Sequence, residues 1–237
     1  MIPLRDVQRT RGVPVVVIAI IAANLIVYLY QLSLGSGAEQ LFERYGLVPA
    51  KLCSIATYAR GGILAGLSPL VTSMFLHGGF LHIGFNMWFL WIFGDNIEHR
   101  LGSARFLFFY FVCGIVAGFG QAIMIPRSTV PTIGASGAIS GVLGGYLLLF
   151  PTARIVTLVP IFIFLTAIQV PAFIFLGIWF ALQFLSGMAS VATPKAMGGT
   201  AWFAHVGGFL SGIVLVKFLD RKPRHRDRRV LDEENYS

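Results

Sequence analysis

Residues 133–151 read Ile-Gly-Ala-Ser-Gly-Ala-Ile-Ser-Gly-Val-Leu-Gly-Gly-Tyr-Leu-Leu-Leu-Phe-Pro and form an apolar segment that predicts a helix. Gly137, Gly141 and Gly145 recur every fourth residue, and small residues at this spacing let a neighbouring membrane helix approach at backbone distance. Ser136 stands in the first turn of this predicted helix. Such a serine is either a small packing residue or a candidate nucleophile, and the rest of the chain decides which reading holds.

The composition indicates a membrane protein. The chain has 237 residues, of which 56% are hydrophobic and 12% charged, and its mean hydropathy is +0.78. These values predict a polytopic, all-α membrane protein. The net charge of +8 fits membrane topology better than a nucleic-acid partner, because the basic residues crowd at the chain ends and in short loops. Cys53 and Cys113 lie in a predicted loop and a predicted span, which indicates neither a disulfide framework nor a metal cluster.

Apolar runs of membrane-spanning length define the domain organisation. We predict a cytoplasmic N-tail over 1–12, a six-span domain over 13–219, and a C-tail over 220–237 that is basic and then acidic. The stretch 155–189 is broken by Pro160 and Pro171 and is too long for one helix, so its first half is predicted to lie across or along the membrane. The six predicted spans are 12–34, 77–94, 104–125, 133–151, 171–189 and 201–219.

The distribution of positive charge predicts the orientation. Most of the 18 Lys and Arg residues fall on the side of the two termini, so both termini are expected in the cytoplasm and the chain in the inner or plasma membrane. The first loop, residues 35–75, is long and keeps apolar patches, so it is expected to lie at the membrane interface. Within it, Glu39 to Tyr45 predicts one short amphipathic helix.

Three polar side chains on three predicted spans share one depth. Counted from the cytoplasmic ends at about 1.5 Å per residue, Ser136, His205 and His82 lie about 18–21 Å above the inner boundary of a hydrocarbon core about 30 Å thick. The sixth span repeats the small-residue pattern at Ala204, Gly208 and Gly212. Packing of this face against the glycine face of the fourth span would bring the Ser136 hydroxyl to the His205 imidazole, as a nucleophile beside its base.

The remaining polar residues near this level suggest an oxyanion site. His82 and Asn86 are four residues apart, so they share a helix face, and both can donate hydrogen bonds together with the Ser136 backbone N–H. All ten acidic residues lie in tails, loops or span ends, so a hydrolase here would use a Ser–His pair without a carboxylate. His77 lies five residues before His82, faces elsewhere on a helix, and is expected to brace the long loop.

A zinc site formed by His77, His82 and His205 is the competing reading of the histidines. Their spacing and the lack of a nearby carboxylate or thiolate argue against it, so neither a metal nor a cofactor is expected. Each intramembrane histidine or asparagine taken alone is also explained as a hydrogen-bonding residue of the bundle interior.

Three motifs together resemble the rhomboid intramembrane serine proteases of the bacterial six-span type. They are Gly134-Ala-Ser136-Gly137 at the start of a glycine-rich span, His82-x-x-x-Asn86 two spans earlier, and Ala204-His205-x-x-Gly208 in the last span. The resemblance implies that Ser136 is the nucleophile and His205 the general base and then acid. It also implies that His82 and Asn86 are the oxyanion donors, and that the substrates are transmembrane helices cleaved near the outer face of the bilayer.

Two departures from the family pattern stand out. Many members have a Trp-Arg pair before the position of Thr72, whereas this chain has Ser68 and Pro69. Some members place a tyrosine four residues after the serine to stack on the base, whereas this chain has Ser140, so something else must hold the imidazole.

Two alternatives to a protease remain at this stage. The first is a catalytically inactive protein of the same fold that binds transmembrane clients. The second is a small transporter or channel, which the lack of a mid-membrane acid and of an inverted repeat disfavours. If the protein is a protease, water must reach Ser136 through a cavity open to the outer side, and the interrupted fifth span and the 190–200 loop are expected to form a gate and a lid.

Overall fold

The computed structural model describes residues 1–8, 12–54, 62–161, 164–192 and 200–220. Six long helices form the bundle, and both the lid segment expected within 190–200 and the tail 221–237 lie largely or wholly outside the described residues. The helices are α1 (Val15–Ser33), α2 (Phe80–Leu101), α3 (Ser103–Met124), α4 (Ser136–Leu149), α5 (Ala172–Ala192) and α6 (Trp202–Leu219).

The helical membrane bundle predicted from the sequence is confirmed. Helices α1, α3, α5 and α6 are long and apolar enough to cross a membrane, and α2 counts as a fifth span together with the helical segment before it, from which it bends by 85°. The fourth predicted span differs, because α4 has only 14 residues. At about 1.5 Å per residue it is about 21 Å long, which is shorter than a hydrocarbon core of about 30 Å.

The helices define two ends of the bundle, which we call the base and the rim. At the base, Glu98 near the end of α2 accepts hydrogen bonds from the backbone N–H groups of Val16 and Val17 at the start of α1, at 3.0 and 2.9 Å. Arg100 pairs there with Asp220 at the end of α6, at 2.6 Å. The rim carries the first loop and the connection between α3 and α4.

A three-stranded antiparallel sheet accompanies the helical bundle. Its strands are β1 (Ile2–Asp6), β2 (Arg154–Ile161) and β3 (Phe164–Pro171), in the order β1-β2-β3. The first half of the apolar stretch 155–189 is therefore a hairpin rather than part of an interrupted span. Pro160 and Pro171 disfavour a continuous helix through this stretch, and β2 pairs with β1 along one edge and with β3 along the other. The part of the N-tail predicted over 1–12 that the structure describes is likewise partly strand.

Strand β1 is attached to helix α2 along its length. The Trp88 indole N–H donates to the Pro3 carbonyl at 2.7 Å, and Asn96 Nδ2 donates to Asp6 Oδ2 at 2.6 Å. On its other edge β1 pairs with β2, with Asp6 opposite Ile155 and Ile2 opposite Leu158. The N-terminal strand therefore joins the hairpin to the bundle.

The first loop is built of short helices packed at the rim. Its predicted amphipathic helix is confirmed as Ala38–Tyr45, and Pro49–Leu52 and Pro69–Thr72 form further turns. Leu47 and Thr132 exchange backbone hydrogen bonds at 3.0 and 2.7 Å, which ties the loop to the connection before α4. The Thr72 hydroxyl donates to the Tyr45 carbonyl at 2.7 Å, so this turn is anchored although Ser68 and Pro69 replace the residues common in the family.

Candidate active site

The backbones of helices α4 and α6 are in direct contact. A Cβ added at Gly208 would collide with the Gly137 carbonyl oxygen, and one added at Gly212 would collide with the Gly141 carbonyl oxygen. These are the two small-residue faces that the sequence indicated, in the register that places Ala204 beside Gly137. Gly144 belongs to the same contact but not to the predicted face, since a Cβ there would collide with the Phe209 carbonyl oxygen.

This contact brings Ser136 and His205 together. His205 Nε2 lies 2.8 Å from Ser136 Oγ, and both residues are half-buried. Ser136 is the first residue of α4 and His205 lies in the first turn and a half of α6, so each side chain sits at the rim end of its helix. The separation is that of a nucleophile hydrogen-bonded to a general base.

The opposite side of the imidazole is occupied by helix α5, which sequence reasoning missed. His205 Nδ1 lies 2.7 Å from Oε1 of Gln183. The rings of Trp179 and Trp202 flank the imidazole at centroid distances of 6.1 and 6.3 Å. One signal could have found Gln183: it is the only side-chain amide in the apolar α5 sequence, and polar groups inside a span usually face a partner in the bundle.

Ser140, at the position where the resemblance led us to look for a stacking tyrosine, is not hydrogen-bonded to the imidazole. Its hydroxyl donates to the Ser136 carbonyl one turn back, at 2.6 Å. It is buried in the packed interior of α4. The contacts to the imidazole come instead from α5 and from Trp202.

His82 has its ring oriented towards Gly134, two residues before Ser136. The Gly78 backbone N–H donates to His82 Nδ1 at 3.3 Å, so the neutral ring carries its proton on Nε2. A Cβ added at Gly134 would lie 2.6 Å from that Nε2. Gly134 also has a φ of +117°, a conformation that favours glycine, so both its backbone and its surroundings exclude a side chain.

Asn86 follows one turn after His82 and points at the same place. Its Nδ2 is buried and has no hydrogen-bond partner among the residues that the structure describes. A Cβ at Gly134 would lie 3.6 Å from this Nδ2. A buried amide donor without a partner costs free energy, so the presence of one here calls for an explanation.

His77 departs from its expected position. The second predicted span begins at 77, but α2 begins at Phe80, so the helical spacing used to separate His77 from His82 does not apply. The two rings are in edge contact with centroids 5.0 Å apart. The backbone of His77 is anchored as well, because Gln31 accepts from its N–H at 3.1 Å and donates to its carbonyl at 2.9 Å. His77 therefore contacts His82 directly, although the helical spacing placed the two residues on different faces.

A small cavity of about 20 Å³ adjoins Ser136. On the order of 10–15 Å³ holds one water molecule, so the cavity has room for about one. Ser73 and Thr132 contribute polar groups to a lining that is otherwise apolar or glycine. Among the described residues, no group of three His, Cys, Asp or Glu side chains could hold a metal ion.

The sequence is similar to a known protein family and to several named proteins. A family model described as Rhomboid domain matches residues 64–222, which includes every candidate site residue. The chain is 32% identical over 169 residues to Rhomboid protein 1, mitochondrial, of Saccharomyces cerevisiae, covering 68% of this chain and 44% of the yeast protein.

Further relatives come from a bacterium and from an animal. Rhomboid protease GluP of Bacillus subtilis is 41% identical over 78 residues, covering 33% of this chain and 15% of GluP. The human Presenilin-associated rhomboid-like protein, mitochondrial, is 30% identical over 156 residues, covering 64% of this chain and 38% of the human protein. The chain thus spans less than half the length of each of these relatives.

Proposed function

Because the chain belongs to the rhomboid family, we propose that it is an intramembrane serine endopeptidase that hydrolyses peptide bonds in or next to transmembrane helices. One observation carries the proposal: His205 Nε2 lies 2.8 Å from Ser136 Oγ at the rim end of a short helix. The relative GluP is named a rhomboid protease, which supports the same reading.

In the first half of the proposed reaction, Ser136 Oγ attacks the carbonyl carbon of the scissile bond while His205 Nε2 takes the hydroxyl proton. Negative charge develops on the carbonyl oxygen of the tetrahedral intermediate. The donors proposed to stabilise it are His82 Nε2–H, Asn86 Nδ2 and the Ser136 backbone N–H. When the intermediate collapses, the C–N bond breaks and His205 returns the proton to the leaving amine.

In the second half, water attacks the ester carbon of the acyl-enzyme. His205 takes a proton from this water and then donates it to the ester oxygen of Ser136 as the C–O bond breaks. The cavity beside Ser136 is the proposed store of the hydrolytic water, because it has the volume for one molecule and carries hydroxyl groups in its lining. His205 is not part of that lining, so the water must move from the cavity to the imidazole before it reacts. No metal or cofactor enters these steps.

The proposed substrates are membrane proteins with a single apolar helix. The short helix α4 sets Ser136 below the level of the rim, so the scissile bond must enter the outer half of the bilayer rather than water. In the proposed orientation, the chain lies in a plasma membrane of the bacterial type, with the rim on the outer side and both termini in the cytoplasm. The yeast and human relatives, in contrast, are named as mitochondrial proteins.

The test uses a fluorophosphonate probe, which reacts with activated serine hydroxyls. We expect the purified protein to be labelled, and Ser136→Ala and His205→Ala to abolish or nearly abolish labelling. In liposomes, the wild type is expected to cleave some members of a panel of single-span proteins, and Ser136→Ala none. Labelling that persists in Ser136→Ala would contradict the proposal.

The second candidate function is an inactive family member that binds transmembrane clients. One observation favours this alternative: Ser68, Pro69 and Ser140 stand at positions where other residues are common in the family. This alternative predicts co-purification of single-span proteins with both wild type and Ser136→Ala, and no probe labelling of either.

A further inference from the structure

Resting on the proposed function, we propose that Gln183 is the positioning residue of the general base: its amide oxygen holds His205 in the tautomer that can accept the Ser136 proton. The two ring nitrogens of His205 have different partners on opposite sides. Nδ1 lies 2.7 Å from Gln183 Oε1, and Nε2 lies 2.8 Å from Ser136 Oγ.

The chemistry of these partners decides where the proton of the ring resides. A neutral imidazole has one N–H donor and one nitrogen that accepts, whereas an amide oxygen only accepts. With Oε1 of Gln183 facing Nδ1, the proton lies on Nδ1, and Nε2 keeps its lone pair. A hydroxyl can donate to that lone pair, so the Ser136 proton points at the atom that must receive it.

An amide at this position avoids the cost of a buried charge. In a Ser–His–Asp triad a carboxylate orients the base, but an ionised carboxylate in an apolar interior carries a large desolvation penalty. The acidic side chains whose positions the structure describes lie at the base or in the first loop, away from this ring. Gln183 provides the acceptor without a net charge.

Helix α5 also fixes the plane of the ring. Trp179 lies four residues before Gln183, so the two share one face of α5. Its indole lies against the imidazole with a tilt of 36°, while the Trp202 indole meets the ring edge-on at 85°. The tryptophans limit rotation of the ring, and the hydrogen bond from Nδ1 selects one of its two flipped orientations. Gln183 and the two tryptophans therefore hold the imidazole of His205 in a chain that has Ser140 in place of a tyrosine.

The experiment compares three variants for the rate of probe labelling at Ser136 and for melting temperature. Gln183→Leu keeps the size of the side chain but removes the acceptor. We expect labelling to slow by about 10–100-fold, less than the roughly 10⁴-fold loss caused by the wrong tautomer in a Ser–His–Asp triad. Gln183→Glu keeps an acceptor oxygen in the same place, so it is expected to label within about fivefold of wild type, although the buried carboxylate should lower the melting temperature. Leu185→Ala, whose side chain is 63% exposed, is the control and should label at the wild-type rate.

The outcomes separate this role from the proposed function. Equal labelling of wild type and Gln183→Leu, with labelling still dependent on Ser136, would overturn the role of Gln183 and leave the protease intact. Wild-type protein that shows no labelling dependent on Ser136 would overturn both. If Gln183→Leu also melts at a lower temperature, Gln183→Glu decides: a Gln183→Glu protein that labels as slowly as Gln183→Leu would show that the glutamine only packs.

Discussion

Oδ2 of Asp6 accepts a hydrogen bond from the Tyr146 hydroxyl at 2.9 Å, so the N-terminal strand is tied to the same helix that begins with Ser136. Asn96 on α2 donates to the same oxygen at 2.6 Å. One carboxyl group therefore connects β1 to two helices of the bundle, at the base and far from the candidate site.

This carboxyl group should make strand docking depend on pH. Burial raises the pKa of Asp6 to about 6, the neighbouring Asp95 raises it too, and the hydrogen bonds from Tyr146 and Asn96 oppose the shift. Because the docked state binds the proton more tightly than the undocked strand, the stabilisation is full below about pH 4 and is lost as the pH rises through about 6. After correction for intrinsic rates, amide hydrogen exchange at 155–158 should be slower at pH 5 than at pH 7.5.

The matched variant is Asp6→Asn, which keeps an acceptor oxygen but cannot titrate in this range. Its exchange at 155–158 should show no difference between the two pH values. A pH dependence equal to that of wild type would mean that Asp6 does not control docking of β1.

The contact between α4 and α6 should be intolerant of a single methyl group. In Gly212→Ala, the new Cβ would collide with the Gly141 carbonyl oxygen, so we expect a loss of about 1–3 kcal/mol in stability. Gly177→Ala on α5 is the control, since its Cβ would meet nothing within 4 Å and alanine favours a helix by about 0.5–1 kcal/mol. Thermal unfolding in detergent should show opposite shifts. Similar shifts would argue against close backbone packing.

Removing the unpaired donor of Asn86 should lower activity without lowering stability. Asn86→Leu deletes a buried donor that has no partner among the described residues, so the melting temperature should stay equal or rise. If Asn86 stabilises the oxyanion, cleavage of a single-span substrate should slow by about 10²–10³-fold, as for other oxyanion donors. Unchanged cleavage would remove Asn86 from the proposed mechanism.

The orientation of the chain in the membrane can be tested by labelling its two cysteines. Cys53 lies in the first loop at the rim and is exposed, whereas Cys113 is buried inside α3. With both termini in the cytoplasm, a membrane-impermeant maleimide should label intact bacterial cells that express the protein, and Cys53→Ser should abolish this labelling. Labelling that appears only after the cells are opened would reverse the proposed topology.

Much of the bundle could be predicted because helical spans leave a local record. The apolar run after Ala172 and the one ending at Leu219 differ from the predicted spans by three residues or fewer at each end. The four-residue repeats at Gly137 and Gly208 record a close helix contact directly, since only small residues permit it. Their register was therefore readable, and the structure shows it.

The hairpin over 154–171 could not be predicted in this way. Apolar β-branched residues such as Val156 and Val159 suit a buried strand and a membrane span equally, and periodicity does not separate them. What separates them is the pairing of Ile155 with Asp6, about 150 positions earlier in the chain. Nothing local to either segment indicates that pairing.

The membrane bundle, the approximate course of its helices and the meeting faces of α4 and α6 could all be predicted, because hydropathy and small-residue spacing are properties of neighbouring residues. The three-dimensional structure was needed to find what lies on the far side of His205, why His77 touches His82, and where the N-terminal strand docks. Those answers depend on hydrogen bonds and ring contacts between elements distant in the chain. Gln183 is one amide in an apolar helix until the packing of α5 against α6 sets its oxygen 2.7 Å from the imidazole.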